Sequence, residues 1–197
     1  MKYRFWLFFL LLPLNIVGAT TLIDFSQPLK QMQFLSDATE RLAGRSSGAV
    51  SLQKNKRQPQ TVFFACLVPQ PNGAAFVSFL QPIKPILKPN STLLVEIQSM
   101  ESQDTSYQLI ARTKYSQKHG YSYRANFTVS PNQTGTVQIP VRALQAGFRG
   151  RTQLPAFVKP LVASEVTEIG LRITGRIGNE HRQSGCHALG LKRLLVN

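Results

Sequence analysis

The residues whose types and spacing could support chemistry begin at Gly44. Residues 44–48 read Gly-Arg-Ser-Ser-Gly. They match the Gly-x-Ser-x-Gly pattern of the nucleophile elbow, in which a strained turn after a buried strand exposes a serine, here Ser46. Asp104 and His119 could supply the acid and the base of a hydrolase. However, polar residues precede Gly44 and a strand-like alternation follows Gly48, so the sequence favours a structural turn over a nucleophile.

The residues before this segment predict a short helical turn. Asp37 and Glu40 have the three-residue spacing of a helix N-cap and its N3 partner. Gly44 fits the position just after a helix end, where glycine is common. A strand is then expected to begin at Ala49.

Two cysteines, Cys66 and Cys186, could form a disulfide or serve as small buried apolar side chains. An even number of cysteines in an oxidising compartment indicates a disulfide, which would require their two strand-like segments to be neighbours. Both interpretations stay open at this point. A zinc site with His181 or His187 is disfavoured, because no Cys-x-x-Cys pair is present and Cys186 and His187 would point to opposite faces of a strand. We predict no metal and no cofactor.

The first 19 residues predict a secretory signal peptide. Lys2 and Arg4 precede an almost wholly apolar run over residues 5–14, and residues 17–19 are small enough for cleavage. The run is short for a membrane span, although an uncleaved N-terminal anchor is the alternative. We therefore expect residues 20–197 to form one exported domain, periplasmic or secreted, with no transmembrane segment.

The exported domain would be strongly basic. Without Lys2 and Arg4 it carries 21 Lys and Arg against 9 Asp and Glu, a net charge of +12. Such a charge favours acidic partners, namely anionic glycans or other envelope polyanions. The sequence has no aromatic RNA-binding motif and no helix with a basic stripe, so specific nucleic-acid recognition is not expected.

The rest of the chain predicts an all-β fold. About ten short alternating segments, with no long helix, are typical of an antiparallel β-sandwich or jelly roll. The residues Gln108, Ile110 and Arg112 share one face of a predicted strand. The least regular stretch, residues 143–155, is a candidate binding loop or a solvated connection, and it contains Arg149, Gly150 and Arg151.

Several motifs follow one another in a recognisable order. They are Phe34, Asp37, then Gly44, Ser46 and Gly48, a Gly-Ala-Ala-Phe-Val-Ser element with Phe76, an aromatic strand from Tyr123 to Phe127, and the Arg149-Gly150-Arg151 loop. Between Phe34 and Leu194 this order resembles the complex I intermediate-associated protein family, whose founding members assist assembly of mitochondrial NADH:ubiquinone oxidoreductase. The resemblance implies a galactose-binding-like sandwich, a fold used mostly by non-catalytic binding modules. Departures include Phe34 for the usual Trp, Ala43 for the first Gly of a pair, and His187 for a late Phe.

We therefore expect a non-enzymatic exported module of this family that binds or helps to assemble a protein partner. The predicted signal peptide argues against a mitochondrial role. The alternatives are a carbohydrate- or polyanion-binding β-sandwich and an enzyme that uses Ser46 or a histidine.

Overall fold

A computed structural model describes residues 18–40, 43–54, 59–148, 153–177 and 181–197. In these ranges the chain forms strands joined by turns, with two α-helices of four and five residues and two 3-10 helices of three residues, Val141–Ala143 and Ala163–Glu165. The elements in chain order are β1 (Thr20–Asp24), β2 (Gln33–Ser36), α1 (Asp37–Glu40), β3 (Ser47–Gln53), β4 (Gln60–Leu67), β5 (Phe76–Pro82), β6 (Thr92–Ser99), β7 (Thr105–Thr113), α2 (Lys114–Lys118), β8 (Ser122–Val129), β9 (Thr134–Pro140), β10 (Gln145–Gly147), β11 (Val166–Thr174), β12 (Arg176–Ile177), β13 (His181–Arg182) and β14 (Gly185–Val196).

The strands form two antiparallel six-stranded sheets. Sheet A has the order β3-β4-β14-β6-β9, and β1 also pairs with β14. Sheet B has the order β10-β8-β7-β11-β5-β2, and β12 pairs with β13 in a small separate hairpin. The predicted antiparallel β-sandwich is therefore confirmed.

The core lies between the two sheets and is built from alternate residues of each strand. Phe63 of β4 packs against Phe79 of β5 and Tyr107 of β7, with ring centroids 5.2 and 6.5 Å apart. Tyr107 in turn stacks on Phe127 of β8. Because these side chains take the inward positions, the residues between them on β5, β7 and β8 point away from sheet A. Those outward residues form the outer face of sheet B.

The sheet register brings the two cysteines together. Cys66 of β4 is the direct partner of Cys186 of β14, and their sulfurs are bonded. The bond lies on the outer face of sheet A, since the neighbouring residues Ala65, Leu67 and His187 are buried.

Candidate functional site

Asp37 and Ser46 form a buried pair that joins the start of α1 to the start of β3. Both residues are fully buried. The backbone N–H of Ser46 donates to Asp37 Oδ1 over 2.8 Å, and Ser46 Oγ donates to Asp37 Oδ2 over 3.2 Å. Ser46 Oγ also accepts from the backbone N–H of Val68 at 3.1 Å. The hydroxyl is thus engaged on both sides inside the protein, which is the arrangement of a structural serine and not of an exposed nucleophile.

The glycines of the same motif allow the chain to pass close to other backbone. A Cβ added to Gly44 would lie 2.0 Å from the carbonyl oxygen of Asp37, and one added to Gly48 would lie 2.3 Å from that of Phe64. Gly44 does not have a positive φ, so its interpretation as the residue after a helix end is wrong. The expected capping by Asp37 is also wrong, because its carboxylate accepts from Ser46 instead.

The other candidates for a serine hydrolase lie apart from Ser46. Asp104 is exposed in the loop between β6 and β7. His119 follows α2, where its ring lies 4.3 Å from that of Tyr115 and 5.5 Å from that of Phe157, centroid to centroid. In the part of the chain that the structure describes, no hydrogen bond connects either residue to Ser46. The structure therefore does not bring the hydrolase candidates Ser46, Asp104 and His119 together.

His187 belongs to a buried polar cluster around Glu101. Glu101 Oε2 lies 3.1 Å from His187 Nδ1 and accepts from Thr105 Oγ1, while Oε1 accepts from Tyr107 and from the backbone N–H of Ala188. Burial raises the pKa of the Glu101 carboxyl, but the hydrogen bonds from His187, Tyr107 and Thr105 outweigh it and hold that pKa below its usual value. Within the described ranges, no group of three or more His, Cys, Asp or Glu residues could hold a metal ion.

A groove with a volume of about 1600 Å³ lies on the outer face of sheet B. Under its floor, Ile110 and Leu80 are buried and lie in one row on either side of Gly170. Gly170 is needed there, because a Cβ would lie 1.9 Å from the carbonyl oxygen of Phe79. Loop residues 72–75 and 153–155 also line the groove.

Amide side chains continue the groove beyond this floor. Gln108 Nε2 donates to Asn126 Oδ1 over 2.8 Å, which links β7 to β8. Gln108 Oε1 is buried and accepts no hydrogen bond from the described residues. The buried Gln108 thus holds the exposed Asn126 amide in position at the groove.

Four arginines line the groove, and only one acidic residue, Glu40, is among the described lining residues. Arg112 Nε bonds to Glu168 Oε2 at 2.7 Å, so a neighbouring carboxylate balances that charge. The Arg172 guanidinium lies over the ring of Phe76 at 4.9 Å from its centroid, which places one aromatic face and one cation side by side. The groove is consequently positive and suited to acceptors of hydrogen bonds.

Arg124 is the groove arginine with the most unusual surroundings. It lies on β8, and its guanidinium rests against Gly147 of the edge strand β10. It makes no hydrogen bond or ion pair with any residue of the described ranges. Burial lowers the pKa of its guanidinium, since the charged form is partly removed from water.

The sequence-predicted residues do not share one site. Asp37 and Ser46 form the buried pair, Gly44 and Gly48 lie in the same motif, and Phe34 packs against the core. Phe76 alone of the family-motif residues lines the groove. The proposed binding loop Arg149-Gly150-Arg151 lies outside the described residues.

Sequence reasoning missed most of the groove. Gln108, Ile110 and Arg112 were recognised as one strand face, but the importance of Arg124, Gly147 and Arg172 was not. The usable signal was alternation, because Arg124 and Arg172 each fall between inward-facing apolar residues of their strands.

Comparisons with known proteins identify structures with the same fold. Solved structures with a similar fold include a family 11 carbohydrate-binding module from Clostridium thermocellum in complex with a β-1,3-1,4-mixed-linked tetrasaccharide. That structure has 10% sequence identity and a TM-score of 0.66, over 90% of this chain and 95% of the other. The family 11 module of the Clostridium thermocellum cellulosomal cellulase Lic26A-Cel5E has 8% identity and a TM-score of 0.61, over 91% and 94%. An agarase matches at 13% identity and a TM-score of 0.52, over 91% of this chain but 24% of the agarase.

These likenesses show a shared fold. No curated protein matches the sequence. Among the described residues, no helix is both long enough and apolar enough to cross a membrane. The sequence profile of one family, described as Complex I intermediate-associated protein 30 (CIA30), matches residues 23–191.

Proposed function

The chain belongs to the complex I intermediate-associated protein 30 family, and from that premise we propose that it is a binding module that holds a glycan in the groove of sheet B. The observation that carries the proposal is the groove itself, an open channel of about 1600 Å³ across the strands of one sheet. A rigid sheet can hold side chains in fixed positions for a ligand, which favours recognition without large rearrangement.

The composition of the groove supports a sugar ligand. A sugar ring has an apolar face and a rim of hydroxyl groups that both donate and accept hydrogen bonds. Phe76 lines the groove and offers an aromatic face. The exposed Asn126 supplies an amide that can donate to and accept from sugar hydroxyl groups.

The structural neighbours favour the same class of ligand. The first two are carbohydrate-binding modules, one of them in complex with a tetrasaccharide. Because identity is at or below 10% in both, they support the choice of ligand to test and no particular contact. We also propose that the module acts outside the cytoplasm, on the basis of the signal peptide predicted over residues 1–19. Recovery of the native protein in the cytoplasmic fraction, with its N-terminus intact, would contradict that localisation.

The test is a glycan-binding screen with paired variants. The purified domain is titrated calorimetrically with soluble neutral and acidic polysaccharides. Asn126→Ala removes an exposed amide from the groove, and Gln98→Ala removes an exposed amide from the outer face of sheet A as the matched control. Loss of one hydrogen bond of about 1 kcal/mol predicts about fivefold weaker binding for Asn126→Ala and no change for Gln98→Ala. The proposal fails if no polysaccharide binds, or if both variants bind equally to the parent.

A second candidate function is assembly of a protein complex, in keeping with the family. The observation that favours it is a set of exposed apolar side chains on the segment before β11, namely Leu154, Phe157 and Val162. Such exposed apolar residues can mark contact with another protein. Phe157→Ser should then abolish co-purification of a stoichiometric protein without changing glycan binding. Unchanged co-purification would exclude this surface.

A further inference from the structure

We propose that the glycan bound in this groove is acidic, a polymer of carboxylate-bearing sugars, and that Arg124 binds one of its carboxylates. This inference rests on the proposed function, since it names the ligand class of the same groove. It follows from the charge of the groove, from the surroundings of Arg124 and from Gly147 of β10, against which the Arg124 guanidinium lies.

The groove is positively charged. Its described lining holds four arginines and one glutamate, a net charge of +3, and Glu168 beside Arg112 reduces this to +2. Guanidinium groups bind carboxylates through paired N–H donors, whereas a neutral sugar presents only hydroxyl groups. The excess positive charge lies in the concave part of sheet B, where low-dielectric walls strengthen its attraction for an anion.

Arg124 is partly buried and has no hydrogen-bonding partner among the described residues. A partly buried guanidinium loses hydration, and proteins usually restore the balance with a carboxylate or with hydrogen-bond acceptors. Arg112 follows this pattern through Glu168. Arg124 does not, because no described residue accepts a hydrogen bond from it, and burial alone lowers the pKa of its guanidinium. An anionic ligand would supply the missing partner.

Gly147 leaves the space that the Arg124 guanidinium occupies. A Cβ added to Gly147 would lie 2.2 Å from Arg124 Nε and 2.3 Å from its Cζ. Gly147 does not have a positive φ, so backbone conformation does not require glycine there. A larger residue at position 147 would displace the Arg124 guanidinium from the side of the groove.

The length of the groove along sheet B suits a polymer. Arg124 and Arg172 lie on strands separated by β7, and their register positions differ by two residues. With about 4.8 Å between strands and about 3.4 Å per residue, their Cα atoms are about 12 Å apart. A chain with repeated carboxylates extends over such a distance, so a polymer can place one carboxylate at Arg124 while the rest of the chain follows the groove.

The experiment uses ligand pairs with the same sugar backbone, in which methyl esterification removes the carboxylate charge. Polygalacturonate and alginate are compared with their methyl-esterified forms by titration calorimetry at about 50 and about 200 mM salt. The variants are Arg124→Gln, Gly147→Ala and, as the matched control, Arg142→Gln, which removes an exposed arginine outside the groove. Gly147→Ala moves the guanidinium without changing the net charge, and a thermal melt of each variant checks the fold.

The proposal expects binding of at least one acidic polymer, with its esterified form about tenfold weaker or more. Arg124→Gln and Gly147→Ala should each weaken acidic binding about tenfold, and Arg142→Gln should stay within about twofold of the parent.

The remaining outcomes separate the two hypotheses. If acidic and esterified polymers bind equally, or only a neutral glycan binds, glycan binding stands and the acidic inference is overturned. If no glycan binds, the proposed function itself is overturned. If Arg142→Gln weakens binding as much as Arg124→Gln and DNA competes equally, the attraction is to charge alone and Arg124 has no special role.

Discussion

Replacement of Asp37 by alanine should strongly destabilise the fold, although Asp37 is not part of the groove. The carboxylate is fully buried and accepts from the backbone N–H and the hydroxyl of Ser46, at 2.8 and 3.2 Å. Alanine removes both acceptors and leaves both donors of Ser46 buried without partners. The variant therefore tests whether the buried Asp37–Ser46 pair gives the Gly-x-Ser-x-Gly motif a structural role.

The expected size follows from the two hydrogen bonds. A hydrogen bond to a charged group contributes about 1.5–3 kcal/mol, and the longer of these two belongs near the lower end. Asp37→Ala should therefore lower the free energy of unfolding by about 4 kcal/mol. Asp37→Asn keeps an acceptor for the Ser46 N–H and loses the charge, which predicts a cost of about 1–2 kcal/mol. Ser46→Ala removes the acceptor of the Val68 N–H and should cost about 2 kcal/mol.

Urea denaturation of the oxidised protein measures these changes. For a domain of this length, 4 kcal/mol corresponds to a decrease of about 8–16 °C in the melting temperature. Because Asp37 and Ser46 share a bond, Asp37→Ala should cost about 1 kcal/mol less when Ser46 is already alanine. The exposed Asp104→Ala is the matched control and should change stability by less than about 0.5 kcal/mol.

Two results would refute this reasoning. A cost below about 1 kcal/mol for Asp37→Ala would mean that the buried donors find other partners. Strict additivity of the Asp37 and Ser46 substitutions would mean that the Oγ–Oδ2 contact contributes nothing.

Three further predictions concern the rest of the fold. Because the folded-state pKa of Glu101 lies below its unfolded value of about 4.3, its carboxylate stabilises the protein above that pH and loses this contribution as pH falls through the folded-state pKa. Glu101→Gln should therefore flatten the decrease in urea midpoint below about pH 4. Replacing Cys66 and Cys186 by serine opens a link between residues 120 apart, which the chain-entropy estimate puts at about 5 kcal/mol of unfolding free energy, measured with and without reductant. Gly170→Ala places a Cβ 1.9 Å from the Phe79 carbonyl oxygen and should abolish the cooperative melt, because two backbones must separate.

Each of these has a matched comparison. Glu165→Gln removes an exposed carboxylate and should leave the acid dependence unchanged. Reductant should shift the parent protein and not the double serine variant. Gly147→Ala should still fold, since its Cβ meets the end of a flexible arginine side chain. Equal behaviour within any pair would contradict the corresponding prediction.

Strand alternation was sufficient to predict the fold class, because inward and outward residues alternate over most strands. It did not identify the groove face, since Ile110 and Leu80 are buried on the outer side of sheet B and resemble core residues. Helix α2 was missed because its capping residues are Thr113 and Ser116, without the glutamate that usually marks such a box.

The buried polar clusters could not be predicted from local sequence patterns. Asp37 has the spacing of a helix cap, but its partner Ser46 lies nine residues away. Glu101 and His187 are 86 residues apart and meet only because β14 runs past the end of β6. Long-range hydrogen bonds of this kind have no signature in the sequence around either partner, whereas short-range caps and alternation do.

The position of β14 has a consequence for synthesis. β14 follows every other strand of sheet A in the chain, yet it lies between β4 and β6 and pairs with both. Until residues 185–196 have left the ribosome, the hairpin of β3 and β4 and the pair of β6 and β9 cannot join. Each half then presents an unpaired strand edge, which is where growing chains associate with one another. Mutations that slow the docking of β14 should therefore reduce yield through aggregation of nascent chains, even where the finished protein is stable.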